Sequence, residues 1–264
     1  MAVFGNTLMA FSGKKLFLDA FSGAAVGWSL QNLKATTVFV IRVRRSSDNV
    51  EQDFRAIEII NGTLLAFVGA NNGFVTIIYD QIGSNNMINN IATLQGQIVS
   101  NGSVILKGGK PCIIRSVDNN GGYLSAYKPN DGATVKGVFY VGDNEGRTSL
   151  LLGSNLSGSD YGFFAHSSST SPSVDNISII TLTKINGLTT TISSTLEAFT
   201  KTNRQFLLYR ESDFRFSDNI LGLGYRRNNP SGFGMFTFQE LVIFQNTNNT
   251  ILKETEINSR YNIY

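Results

Sequence analysis

The segment Tyr79-Asp80-Gln81 sets a phenol, a carboxylate and a carboxamide at the end of the apolar run Phe74–Ile78, where the polar loop Ile82-Gly83-Ser84-Asn85-Asn86 begins. A carboxylate beside an amide suits the vicinal hydroxyls of a sugar, since one accepts and the other both accepts and donates. The same pair suits a turn, with Asp80 capping backbone N–H groups and Tyr79 packing at a sandwich edge. Both readings are open from the sequence. A second group, Tyr225-Arg226-Arg227, leads into Asn228-Asn229 and offers donors to polysaccharide or to a neighbouring subunit, or forms a plain polar loop. His166 is the single histidine and follows Phe163 and Phe164. These seven residues are the candidate glycan-binding or interface positions.

Other residues carry weaker signals. Arg42, Arg44 and Arg45 would hold an anionic glycan or phosphate, or else form a solvated face paired with Glu51 and Asp53. Trp28 is either a stacking platform for a pyranose or a core residue. Asp143-Asn144-Glu145 resembles a calcium-type acidic turn only in composition, and ordinary turn chemistry accounts for it. Gly222-x-Gly224 is no dinucleotide fingerprint, because Arg227 stands at the third glycine position and no βαβ unit surrounds it. No metal site and no cofactor is expected.

Composition narrows the class. In 264 residues, 42% are hydrophobic, enough for a sizeable core, whereas charged residues are only 16%. Gly, Asn, Ser and Thr fill the difference, which favours short strands joined by polar turns. A net charge of +3 gives no electrostatic case for nucleic acid. The single cysteine, Cys112, excludes an internal disulfide and sits in the apolar run Pro111–Ile114, where a buried, inert thiol is expected. Neither a basic–apolar–small leader nor an apolar run of about 18 residues is visible, so no membrane insertion is expected.

The elements that position these residues read as follows. Residues 1–21 form an N-terminal arm and 22–264 a single domain. Ser22 caps a short helix carrying Val26, Leu30 and Leu33 at i, i+4 and i+7, weakened by Gly23 and Gly27. Val38–Arg45 is a strand with Ile41 and Val43 on one side and Arg42 and Arg44 on the other. A short helix at Thr63–Val68 precedes the strand Phe74–Tyr79. Gly108-Gly109 joins Ser103–Lys107 to Pro111–Arg115 as a hairpin. From Val135 onward, short apolar runs separated by turns, ending in Phe236–Phe244, argue for an all-β sandwich of Greek-key type.

Three blocks of the chain resemble the concanavalin A-like (laminin-G-like) catalytic sandwich of α-L-arabinofuranosidases, and more closely its relatives in bacteriophage particles. They are Ala24–Phe54 with Trp28-Ser29-Leu30, Leu65–Asn86 with Val75-Thr76-Ile77-Ile78-Tyr79-Asp80-Gln81, running on to Ile105–Tyr123 through Lys110-Pro111, and Ile220–Tyr264 with Leu221-Gly222-Leu223-Gly224 and Phe238-Gln239-Glu240-Leu241-Val242-Ile243-Phe244. The resemblance implies an antiparallel jelly roll with a few short helices. It also implies an acid/base aspartate directly after Leu221–Gly224, where Tyr225 and Arg226 stand instead. The implied nucleophile region falls at Asp160–Ser167, which contains no glutamate. Retaining hydrolysis needs two carboxyl groups about 5–5.5 Å apart, and an arginine nearby favours the ionised form, the wrong shift for an acid.

The resulting expectation is a non-enzymatic phage virion protein, as a head-decoration, fibre or tail component. It would be a homo-oligomer contacting other virion proteins and cell-surface polysaccharide, made in the host cytoplasm. The alternatives are an arabinofuranosidase-like glycoside hydrolase acting on surface polysaccharide and a secreted bacterial lectin domain. Fold resemblance alone does not decide among them.

Overall fold

The computed structural model describes residues 15–116, 122–125, 135–143, 152–153, 180–189, 205–214, 221–223 and 236–264. In chain order the strands are β1 (Ala24–Ser29), β2 (Ile41–Arg45), β3 (Glu51–Phe54), β4 (Gly73–Ile78), β5 (Met87–Ile88), β6 (Gln97–Ser100), β7 (Ser103–Val104), β8 (Leu106–Lys107), β9 (Lys110–Pro111) and β10 (Ile113–Arg115). They continue with β11 (Tyr123–Ser125), β12 (Val135–Asp143), β13 (Leu152–Gly153), β14 (Ile180–Ile185), β15 (Leu188–Thr189), β16 (Gln205–Phe214), β17 (Leu221–Leu223), β18 (Phe236–Phe238) and β19 (Glu240–Phe244). Helices α1 (Phe17–Ala20), α2 (Ala56–Ile60), α3 (Thr63–Val68) and α4 (Thr250–Tyr261) complete the elements.

Two antiparallel sheets face each other. One runs β1-β19-β12-β16-β14-β15. The other runs β13-β17-β11-β5-β4-β6-β10-β18, with β2 on β4, β3 on β2 and β7 on β6. The expected all-β, concanavalin A-like sandwich with a few short helices is the architecture found. Strands β4 and β19 are internal to their sheets, as their apolar runs require.

Two cores explain the strand sequences. Val26, Trp28, Ile41, Val43, Val75, Ile98, Ile113, Val138, Tyr140, Leu241 and Ile243 fill the space between the sheets. On the far side of the six-stranded sheet, Phe139, Val141, Leu207, Val242 and Phe244 pack under Phe17 and Leu18 of α1 and Ile257 and Tyr261 of α4. Strands β12 and β19 are therefore buried on both faces, which is why Val138–Val141 and Leu241–Phe244 are unbroken apolar runs rather than alternating ones. Each such large side chain contributes about 1.5–3 kcal/mol on burial. In contrast, β2 alternates: Ile41 and Val43 are buried while Arg42 and Arg44 reach solvent.

Two sequence expectations fail here. Residues Ala24–Ser29 form strand β1, not a helix. Val26 and Leu30 enter the inter-sheet core whereas Leu33 belongs to the other, so the helical spacing never marked one face. A Cβ at Gly27 would lie 3.0 Å from Leu18 and 3.2 Å from Leu33, so the small residue serves strand packing. The run Phe236–Phe244 is also not one strand. It changes sheets at Gln239, with β18 pairing β10 and β19 pairing β1 and β12. The Gln239 carboxamide fixes this crossover by donating to the Lys107, Lys110 and Pro111 carbonyls and accepting from Gln205.

Candidate functional site

Tyr79, Asp80 and Gln81 leave the end of β4 and run alongside β1. An isolated bridge joins Trp28 to Asp80, and the Gln81 N–H donates to the Gly27 carbonyl at 2.8 Å. Asp80 is 7% exposed. Its Oδ1 accepts from the Gly27 and Ile82 N–H groups at 3.1 and 3.0 Å. Its Oδ2 accepts from the Gly83 and Asn85 N–H groups at 3.1 and 3.2 Å and from Asn85 Nδ2 at 3.4 Å. One carboxylate thus gathers four backbone donors, closing the Asp80–Asn86 turn and tying it to β1.

Gln81 is equally committed. Its Oε1 accepts from the Leu33 N–H and the Thr37 hydroxyl, and its Nε2 donates to the Ser29 and Gln31 carbonyls. Two donors and two acceptors exhaust a carboxamide. Of the two readings open from the sequence, the structural one describes both residues. Trp28 likewise is fully buried and donates its indole N–H to the Asn85 carbonyl, so it is core rather than platform.

Tyr79 does something different. Its hydroxyl donates to Asp53 Oδ1 at 2.6 Å, and Arg42 holds both Asp53 oxygens through Nε at 2.7 Å and Nη2 at 2.9 Å. The Arg42 hydrogen bond holds the Asp53 carboxyl below the usual carboxylate range. Burial, reinforced by Asp53, pushes the Tyr79 phenol up to about 12. The cluster stays partly open, with the Arg42 and Asp53 side chains 38% and 25% exposed. A fixed, ionised carboxylate with a phenol and a guanidinium can hydrogen-bond a polyol. It cannot donate a proton at neutral pH, so it is no general acid.

The remaining arginines follow the paired reading with different partners. Arg44 donates to Gln95 and Asn49 and lies over Phe74, while Arg45 pairs with Asp48 at 2.6 Å and lies over Phe67. Tyr225, Arg226, Arg227 and His166 lie outside the described residues, as does the Asn144-Glu145 part of the acidic turn. Among the described residues no group of three His, Cys, Asp or Glu side chains is placed to hold a metal ion.

Sequence reasoning missed a buried ionic cluster beside this site. Glu240 is fully buried and accepts from Arg260 at 2.6 and 2.5 Å, from Ser29 Oγ at 2.9 Å and from the Tyr261 hydroxyl at 3.1 Å. It pins α4 to the β1–β19 seam. The adjacent polar pair Gln239-Glu240 inside an apolar run was the available signal. A larger apolar concavity of about 760 Å³ opens between α2 and the β8–β9 hairpin, lined by Leu30, Ile57, Ile60, Leu106 and Pro111. Among the described residues no carboxylate lines it.

No protein-family model and no curated protein matches the sequence. The fold does match solved structures. An arabinofuranosidase complexed with arabinofuranosyl-α-1,2-xylobiose superposes with a TM-score of 0.53 at 13% identity, over 90% of this chain and 63% of that one. A GH54 α-L-arabinofuranosidase soaked with a cyclic sulfate inhibitor gives 0.52 at 13% identity, over 88% and 62%. A glutamate-to-glutamine mutant of such an enzyme, soaked with 4-nitrophenyl α-L-arabinofuranoside, gives 0.50 over the same shares. This chain therefore spans less than two thirds of the proteins it matches. These neighbours are glycoside hydrolases and none points to a phage particle, which overturns the expectation of a non-enzymatic virion structural protein. The chain is a concanavalin A-like sandwich similar in fold to the GH54 arabinofuranosidases.

Proposed function

We propose that this chain is a glycoside hydrolase acting on α-L-arabinofuranosyl linkages in polysaccharide. The observation that carries the reading is the superposition of about nine tenths of the chain, at most, on arabinofuranosidases whose bound molecules include an arabinofuranosyl oligosaccharide and an aryl arabinofuranoside. Hydrolysis with an oxocarbenium-like transition state requires two carboxyl groups flanking the bond. Asp80 and Glu240 are committed to internal donors and Asp53 to Arg42 and Tyr79, so none of them is offered as the pair. We assign the pair to the sequence between Ser125 and Phe236, where Asp131, Asp143, Glu145, Asp160, Asp175, Glu197, Glu211, Asp213 and Asp218 are the carboxylates to examine. Because Tyr225 and Arg226 stand where the resembling enzymes carry their acid, the proton donor comes from a different position in this chain.

The test is release of 4-nitrophenol from 4-nitrophenyl α-L-arabinofuranoside by the purified chain, repeated for the nine single amide variants. Turnover above background that falls at least about 100-fold in one or two variants supports the reading. Absence of release from the aryl glycoside and from arabinose-substituted xylan refutes it. So does turnover that survives all nine substitutions.

A further inference from the structure

We propose that the groove between α2 and the β8–β9 hairpin is a binding site for a free alkyl carboxylate, its chain against the aliphatic walls and its head group at Lys110. The concavity of about 760 Å³ has the size of a small-molecule site, commonly ~300–1,000 Å³. Its two walls come from different elements. Ile57 and Ile60 stand three apart on α2 and are 56% and 64% exposed, whereas Ile59 between them is buried in the inter-sheet core. This short helix is therefore apolar toward the groove as well as toward the core. Leu106 on the hairpin is 52% exposed, and Leu30, Val104 and Pro111 continue the lining. Apolar surface gathered in one concavity marks a place where a ligand or partner is received. Among the described residues no aromatic ring lines it, which suits an alkyl chain rather than a stacked ring.

The polar part of the lining selects the sign of the occupant's charge. Lys110 is the only charged residue on it among the described residues, and its ammonium has no ion pair or hydrogen bond among them. The backbone that carries it is fixed, since Lys110 pairs with Lys107 across the hairpin and its carbonyl accepts from Gln239. Gln31, also on the lining, has a buried amide nitrogen with no hydrogen-bond partner among the described residues, and an unpaired buried donor is costly. An ammonium and an amide donor with no acid beside them call for an acceptor that carries negative charge. The walls call for an aliphatic chain behind it. A sugar meets neither condition, because its hydroxyls would lie against Ile57, Ile60 and Leu106 without partners. A cationic amphiphile would set like charge against Lys110.

Binding at this groove requires no hydrolysis, so its test is separate from turnover. The full chain at neutral pH is titrated calorimetrically with sodium octanoate below its micelle concentration, against acetate, octanol and octyltrimethylammonium. Octanoate is expected to bind saturably at one site per chain and acetate to give no heat of binding. Lys110→Met should weaken octanoate about fivefold and leave octanol unchanged, a split that charge recognition produces and general loosening does not. Ile57→Asp and Leu106→Asp, on opposite walls at exposed positions, should each weaken both chains about tenfold. Either aspartate variant suffices if the other fails to fold. Octanoate heat that does not saturate, octanol or octyltrimethylammonium binding as tightly as octanoate, or affinity unchanged in the aspartate variants overturns the proposal. So does a parent dimer in sedimentation that the aspartate variants dissolve, which would make the groove an interface between copies of the chain.

Discussion

Replacing Asp80 with alanine strands four backbone donors at once, those of Gly27, Ile82, Gly83 and Asn85. Loss of a buried multi-donor acceptor of this kind costs about 3–5 kcal/mol, and Asp80→Asn, which keeps an acceptor, about 1–2 kcal/mol. Urea unfolding of the two variants checks both figures. An Asp80→Ala variant as stable as the parent, with impaired sugar binding, would restore the ligand-binding reading. The sequence marked Asp80 and Gln81 as exceptional, and they are. What it did not carry was whether their hydrogen-bonding groups face a ligand or the chain itself, because a carboxylate next to a Gly/Asn loop has the same signature in either role. Asp53 was legible only as a partner for the arginines, since its contact with Tyr79 crosses 26 positions of sequence.

Among the elements, the β8–β9 hairpin gives the cleanest contrast. Gly108 and Gly109 have φ of +54° and +72°, the pair of positive values that a two-residue turn of this hand requires. A Cβ on Gly109 meets nothing within 4 Å, whereas one on Gly108 collides with the Gln205 carboxamide, which is itself held by Gln239. Gly109→Asn is therefore expected within about 0.5 kcal/mol of the parent, because Asn tolerates the left-handed region. Gly108→Asn should lose about 1–3 kcal/mol through overpacking. Equal effects in chemical denaturation would refute the assigned turn geometry. This hairpin was readable because turn chemistry is local. Strand β1 was not, because Val26, Leu30 and Leu33 serve two cores and mimic a helical stripe. The sheet change at Gln239 also left no periodic trace, since β18 and β19 are both fully buried.

For the whole molecule, the titrating groups shape a stability profile with its maximum on the alkaline side. Asp53 is held low by Arg42, so its contribution is present above about pH 4 and is lost as pH falls further. Lys253 is lowered to about 8 by burial alone, so stability increases as pH rises from about 8 toward the unfolded value near 10.4. Tyr79, Tyr123, Tyr209 and Tyr261 are raised chiefly by burial, so their stabilisation is lost as pH climbs above about 10. A Tm maximum near pH 9–10 is expected, with the rise above pH 8 absent in Lys253→Met. A steady decline from pH 7 upward would contradict the burial of that ammonium.

The hydrolase reading meets its most direct test in covalent trapping. The chain is incubated with an arabinofuranose-configured cyclic sulfate and its intact mass is followed. A carboxylate nucleophile opens the cyclic sulfate and keeps the sugar as an ester, adding one adduct per chain. The expected result is a single adduct that maps by peptide mass to the segment between Ser125 and Phe236 and disappears when its aspartate or glutamate is replaced by the amide. An unmodified mass under conditions that fully label an active arabinofuranosidase, or an adduct on Asp53, Asp80 or Glu240, would contradict it.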